Sequence, residues 1–108
     1  MIPPPVAGGA PVIRPAAYVY LLQSRRDRTC YVGWTTDPVR RLVEHNAGDS
    51  RFTRRNGPWR LIGVEVYASA EAAKAREWAL KHHPRMLMLF KKRLLNRAAV
   101  GRPRQVVG

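Results

Sequence analysis

The chain has 108 residues, 45% of them hydrophobic, enough for one domain with a buried core and too many for global disorder. Lysine and arginine number 20 against 7 acids, and the net charge of +13, carried mostly by arginine, points to a polyanionic partner: nucleic acid first, an anionic membrane surface second. One cysteine, Cys30, excludes an intrachain disulfide framework and a cysteine-rich zinc site, and no apolar run approaches the roughly 20 residues of a membrane span.

Residues 1–16 hold Pro3, Pro4, Pro5, Pro11, Pro15 and the Gly8-Gly9 pair, and read as an extended tail. Tyr18 to Gln23 is aromatic and branched, and reads as a strand. Ser24-Arg25-Arg26-Asp27 reads as a polar turn, and Thr29 to Trp34 as the returning strand of a hairpin. Asp37-Pro38 is a helix start, an N-cap before a proline at the first helical position. That helix is predicted to run to about Ala47, with Val39, Leu42 and Val43 as its apolar stripe and Gly48 as its stop. Residues 48–58 read as a polar, basic loop. Trp59 to Ala68 alternates, so Ile62, Val64, Val66 and Ala68 are predicted to share one face of a third strand. Ser69 caps a helix from Ala70 to about His83, with Glu71 in the first turn where the helix dipole favours an acid. Pro84 opens a last helix with Leu87, Phe90, Leu94 and Ala98 on one stripe, before a loose basic tail at 101–108. The order ββαβαα predicts a small α+β domain over 17–100, with a three-stranded antiparallel sheet flanked by helices.

Some positions suggest chemistry. With a four-residue turn over 24–27, Tyr20 lies directly opposite Tyr31 and both phenols leave one sheet face; a five-residue turn would place them on opposite faces. The pair is either an ordinary cross-strand aromatic contact or two phenols sharing a polar site. Arg41 and His45, four apart, are neighbours on one helix face. They form either a solvated surface or a cation and an imidazole aimed at one phosphate. Glu77 is the last acid in the chain. It borders the apolar arc of its helix, between Ala73 and Leu80. It is either a salt-bridge partner of Lys74, Arg76 or Lys81, or a lone carboxylate for a hard divalent cation, which needs only one or two such ligands.

Taken together, Tyr18-Val19-Tyr20, Tyr31-Val32-Gly33, Arg41 ten residues past Tyr31, and Glu77-Trp78-Ala79 ending in His83-Pro84 resemble the GIY-YIG nuclease superfamily over residues 18–84. Tyr18 stands where glycine is typical. His45, Asn46 and the stretch Thr53-Arg54-Arg55-Asn56-Gly57-Pro58-Trp59 further resemble the structure-specific nuclease subunits of the Slx type. Trp34 stands where some members have lysine.

The resemblance implies metal-dependent hydrolysis of DNA phosphodiesters. Glu77 would hold one Mg²⁺ or Mn²⁺, Arg41 the scissile phosphate, and Tyr20 would act as general base, its phenolate favoured by surrounding cations. Tyr31 would bind the water or the phosphate, and the two tyrosines could exchange roles. His45 is either a second phosphate ligand or a relay for the phenol's proton. Gly33 is expected to let backbone approach the substrate. Arg51, Arg54, Arg55, Arg60, Lys81, Lys91, Lys92 and Arg93 are expected to neutralise backbone phosphates, and Trp34, Phe52 and Trp59 to stack on exposed bases. Phosphate contacts carry no sequence information, so structure or strand selectivity is expected, in DNA repair or recombination. DNA is the partner, a protein scaffold is not required, and an intracellular setting is expected: cytoplasm and nucleoid, or nucleus. The competing reading is a non-catalytic nucleic-acid-binding domain.

Overall fold

The computed structural model describes residues 16–48 and 51–101. The two tails expected at 1–16 and 101–108 fall almost wholly outside these. The elements are β1 (Ala17–Ser24), β2 (Cys30–Thr35), α1 (Pro38–Asn46), α2 (Arg51–Asn56), β3 (Trp59–Tyr67), α3 (Ala70–His82) and α4 (Pro84–Gly101). The predicted α+β class and three-stranded antiparallel sheet are present. The order carries one helix more than ββαβαα, because the segment expected as a loop contains α2.

The sheet order is β2-β1-β3, both pairings antiparallel. β1 is therefore the middle strand and is covered on both faces, which is why YVYLLQ shows no polar alternation. Ala17, Val19 and Leu21 face one side and join Val32, Ala73, Leu80, Phe90 and Leu94 in the main core, beneath α3 and α4. Tyr20 and Leu22 face the other side and pack with Trp59, Leu42 and Leu61, beneath α1 and α2. Burying side chains such as Phe90 and Leu94, each 1% exposed, contributes roughly 1.5–3 kcal/mol apiece.

The helix signals hold. Asp37 accepts a hydrogen bond from Arg40 N at 3.1 Å, and Ser69 from Ala72 N at 3.1 Å. Pro84 begins α4, whose Phe90 and Leu94 enter the core.

Two predicted faces are wrong. On α1, Val39 and Val43 are 67% and 63% exposed, while His45 is buried. The inward stripe is Arg41, Leu42 and His45, because the sheet offers His45 a hydrogen-bonding partner that no valine could satisfy. In β3, Leu21 pairs with Gly63 and Leu22 with Leu61, so Ile62 is an extra, bulged residue. The bulge turns Ile62 toward the main core, leaves Val64 in the second cluster and leaves Val66 exposed.

Candidate active site

The hairpin register brings the two tyrosines together by a different pairing from the one expected. Tyr20 is opposite Gly33, and Tyr31 is opposite Leu22. A shift of two residues preserves the face, so Tyr20 and Tyr31 are diagonal neighbours with ring centroids 6.3 Å apart. Gly33 has a role other than the expected approach to substrate. The Tyr20 phenol lies across it, and a Cβ there would stand 2.7 Å from Tyr20 Cζ and closer still to the hydroxyl.

His45 sits beneath the tyrosines, 1% exposed. Its Nε2 is 2.8 Å from the Tyr20 hydroxyl and its Nδ1 is 3.0 Å from Thr53 Oγ1. Both ring nitrogens are thus engaged with protein groups in a buried place. Of the two readings open for His45, this geometry suits the proton relay and leaves no ring nitrogen facing a phosphate. Thr53, itself 1% exposed, is brought in by α2. Asn46 fastens α1 to the start of β3, donating to Trp59 O (3.1 Å) and accepting from Trp59 N (2.7 Å).

The Tyr20 phenol is pushed up to about 12 by burial. A hydrogen bond and the charge of Arg41 pull the other way, while Tyr31 and Glu77 add to the rise. The expected phenolate rested on arginines and a metal together; among the protein's own groups, desolvation outweighs the Arg41 cation.

Arg41 is paired with Glu44, Nη1 to Oε1 at 2.8 Å, which orients the guanidinium on the site side of α1. Glu77, on α3, is partly buried and accepts from Lys81 Nζ at 2.9 Å. The same ammonium lies 5.4 Å from the centre of the Tyr31 ring. Glu77 therefore already holds a cation beside the tyrosine face. Among the described residues no three His, Cys, Asp or Glu side chains cluster as a metal cage. A hard divalent ion would take one carboxylate here and fill its other positions with water and phosphate oxygen, a donor set that suits Mg²⁺ or Mn²⁺.

Around this centre, Phe52 is half exposed and stacks on Tyr31 with centroids 5.8 Å apart. A cavity of about 270 Å³ opens beside them, lined by Tyr31, Phe52, Leu87, Lys81 and Lys91 among others. Arg51, Arg54 and Arg55 are exposed on α2, and Lys92 on α4. Four expected contributors lie elsewhere. Trp34 is on the opposite sheet face, packed on the main core with Lys74 Nζ 5.1 Å from its ring. Trp59 is buried, donating its indole N–H to Thr53 O at 2.8 Å. Arg93 is ion-paired with Glu65, which Arg76 also grips. Arg60 donates to Gln23 Oε1 at the hairpin end of the sheet.

Sequence reasoning missed Thr53 and Glu44 as positioning groups. Each lies in a polar stretch whose composition reads as solvated surface, and only the buried imidazole and the Arg41 fork give them meaning.

Residues 16–91 match the family model described as the GIY-YIG catalytic domain. A UPF0213 protein from Streptococcus pneumoniae is 43% identical over 70 residues, 64% of this chain and 70% of that protein. Another, from Haloquadratum walsbyi, is 39% identical over 69 residues, 63% of this chain and 76% of that protein. The solution NMR structure of a UPF0213 protein from Bacillus halodurans shares 35% identity, covering 69% of this chain and 82% of that one, with a TM-score of 0.43. These relatives make the likeness to Slx-type subunits a secondary one.

Proposed function

Because the chain belongs to the GIY-YIG catalytic domain family, a nuclease superfamily, we propose that it is a metal-dependent DNA endonuclease, selective for structure or strand rather than sequence, acting in DNA repair or recombination inside the cell. The observation that carries this reading is the buried contact of Tyr20 with His45 in a site that also holds Tyr31, Arg41 and the electrostatic influence of Glu77.

The residues divide the work. Water attacks phosphorus in line with the leaving 3′ oxygen. Burial of the Tyr20 phenol opposes a standing phenolate. Tyr20 instead takes the water's proton while passing its own to His45 Nε2. This needs His45 neutral with its hydrogen on Nδ1, donated to Thr53 Oγ1. Tyr31 orients the water or the phosphate. Arg41, steadied by Glu44, faces the charge that builds on the non-bridging oxygens, a contribution on the order of 10²–10³ in turnover for one such donor. Glu77 would hold Mg²⁺ or Mn²⁺, which when bound polarises the phosphate and stabilises the leaving oxygen. The leaving 3′ oxygen takes its proton from solvent. Phe52, on the rim, offers a face on which an unpaired base can stack.

The high positive charge equally favours a non-catalytic nucleic-acid-binding domain. Such a domain gains nothing from an acid in its phosphate-binding face. A panel of labelled single-stranded, flap, junction and duplex DNA, with Mg²⁺ or Mn²⁺ and with EDTA, separates the two. Metal-dependent cutting with a preference within the panel is expected. Binding of all four substrates without cutting any of them would establish the binding domain instead.

A further inference from the structure

We propose that the polar pocket at the hairpin end of the sheet, formed by Arg25, Arg28 and Arg60, is a second phosphate-binding site that grips the nucleic-acid backbone away from the bond being cut. This deepens the nuclease reading and rests on it for the identity of the strand.

The pocket has a volume of about 200 Å³ and is lined by Gln23, Ser24 and the three arginines. Two buried polar side chains build it. Gln23, 8% exposed, accepts from Arg60 Nη2 at 3.0 Å and donates to Arg28 O at 3.4 Å. One amide thus fixes both a guanidinium and the backbone of a second arginine. Ser24, 3% exposed, accepts from Arg26 N at 3.0 Å and donates to Asn56 O at 2.8 Å. Arg25 N donates to Pro58 O at 2.8 Å, closing the turn against the approach to β3. Arg28 holds φ at +68°, a left-handed conformation uncommon for a residue with a side chain. Such strain persists where the surroundings impose it, and here it places Arg28 at the pocket.

The nearby acid, Asp27, is committed to the turn: its carboxylate accepts from Thr29 N at 3.0 Å. None of the lining residues is acidic. Three arginines line one small polar space, and the forked donors of guanidinium groups match phosphate oxygens.

The pocket stands at the hairpin end of the sheet, where Gln23 and its cross-strand partner Arg60 leave the face of Val19 and Leu21 while Ser24 leaves the face of Tyr20 and bonds α2. From Tyr20 to Ser24 along β1 is roughly 13 Å, about four base-pair rises of duplex DNA. Helix α2 spans that interval, with Phe52 on Tyr31 at one side and Asn56 and Arg55 tied to Ser24 and Arg26 at the other. A backbone leaving the tyrosines along α2 reaches this pocket by passing the hairpin end of the sheet.

The test is binding of a labelled oligonucleotide to the intact chain in EDTA across a KCl series. The Arg25→Gln/Arg60→Gln variant is compared with Arg85→Gln/Arg97→Gln, which removes the same charge from the exposed side of α4. The pocket variant is expected to weaken binding at least about tenfold. It should also lower the salt slope by about 0.9 for duplex or about 0.7 for single-stranded DNA. The α4 variant should change affinity by less than about threefold. In parallel, inorganic phosphate titrated into isotope-labelled protein should shift the Ser24 and Arg25 amide signals in the wild type and not in the pocket variant. Phosphate shifts without an oligonucleotide effect would reassign the pocket to a free anion and overturn the strand contact. Equal losses from the two variants would reduce it to net charge. No divalent cation and no cutting enter this measurement, so a chain that binds this way yet never cleaves DNA contradicts the endonuclease reading alone.

Discussion

The phenol of Tyr20 lies across the backbone of Gly33, so near that a Cβ on Gly33 would stand 2.7 Å from Tyr20 Cζ. The two residues are cross-strand partners. Glycine is required here by the ring above it and not by an unusual backbone angle.

Gly33→Ala therefore pushes the hydroxyl off His45. Cleavage is expected to fall on the order of 100-fold, with a loss of about 1–3 kcal/mol in stability from overpacking. Denaturant melts and initial cleavage rates measured together check this. A variant that cuts at the wild-type rate would show that the Tyr20–His45 contact is dispensable.

Thr53 acts through His45. Thr53→Val removes the hydroxyl 3.0 Å from Nδ1 and leaves a buried ring nitrogen without that partner. Turnover is expected to drop about tenfold, with the pH–rate profile displaced, while Thr53→Ser restores both. A Thr53→Val protein with an unchanged pH profile would leave Thr53 a packing residue only.

Much of this was legible in the sequence, for physical reasons that differ by element. Asp37-Pro38, Ser69 and Pro84 act locally, through caps and fixed dihedrals, and the structure starts helices at all three. The shared face of Tyr20 and Tyr31 survived an error in the turn because side-chain direction has period two. What failed depended on tertiary context. Val39 and Val43 look like a buried stripe, yet α1 turns His45 inward because Tyr20 and Thr53 satisfy it. The bulge at Ile62 is invisible in a run that alternates well. Helix α2 is six residues of basic and polar character, with no apolar period to announce it. The arginines expected, with a metal, to favour a Tyr20 phenolate are readable as composition, whereas the burial that opposes it is not.

Arg41 and Lys92 separate catalysis from attraction. Arg41→Ala is expected to lower kcat by about 10²–10³ with a small change in KM. Lys92→Ala, on the exposed face of α4, should change affinity and salt dependence with turnover kept. Single-turnover and steady-state kinetics on one oligonucleotide distinguish them. Similar losses of kcat in both variants would place Arg41 among the general phosphate contacts.

Acid stability is predicted from Glu65. Burial raises its carboxyl, and hydrogen bonds from Arg76 and Tyr67 outweigh that, leaving it below its ordinary value of 4.5. A lowered carboxyl stabilises the fold above that ordinary value, and the contribution fades as pH falls through the folded one. Glu65→Gln should lose about 1–3 kcal/mol at neutral pH and flatten the fall of Tm below about pH 4.5. Calorimetry from acid to neutral pH reads both, and parallel wild-type and variant curves would remove Glu65 from the account.

The central claim is that Glu77 belongs to a hydrolytic centre with Tyr20, Tyr31, His45 and Arg41, and the most direct measurement is Mg²⁺-dependent cutting of a labelled DNA by wild type and Glu77→Gln, with Kd for the same DNA taken alongside. Cutting by the wild type, its loss in the variant by at least about 10³-fold, and a Kd unchanged or tighter are predicted. A variant that still cuts, or one that loses DNA affinity along with cutting, would contradict it.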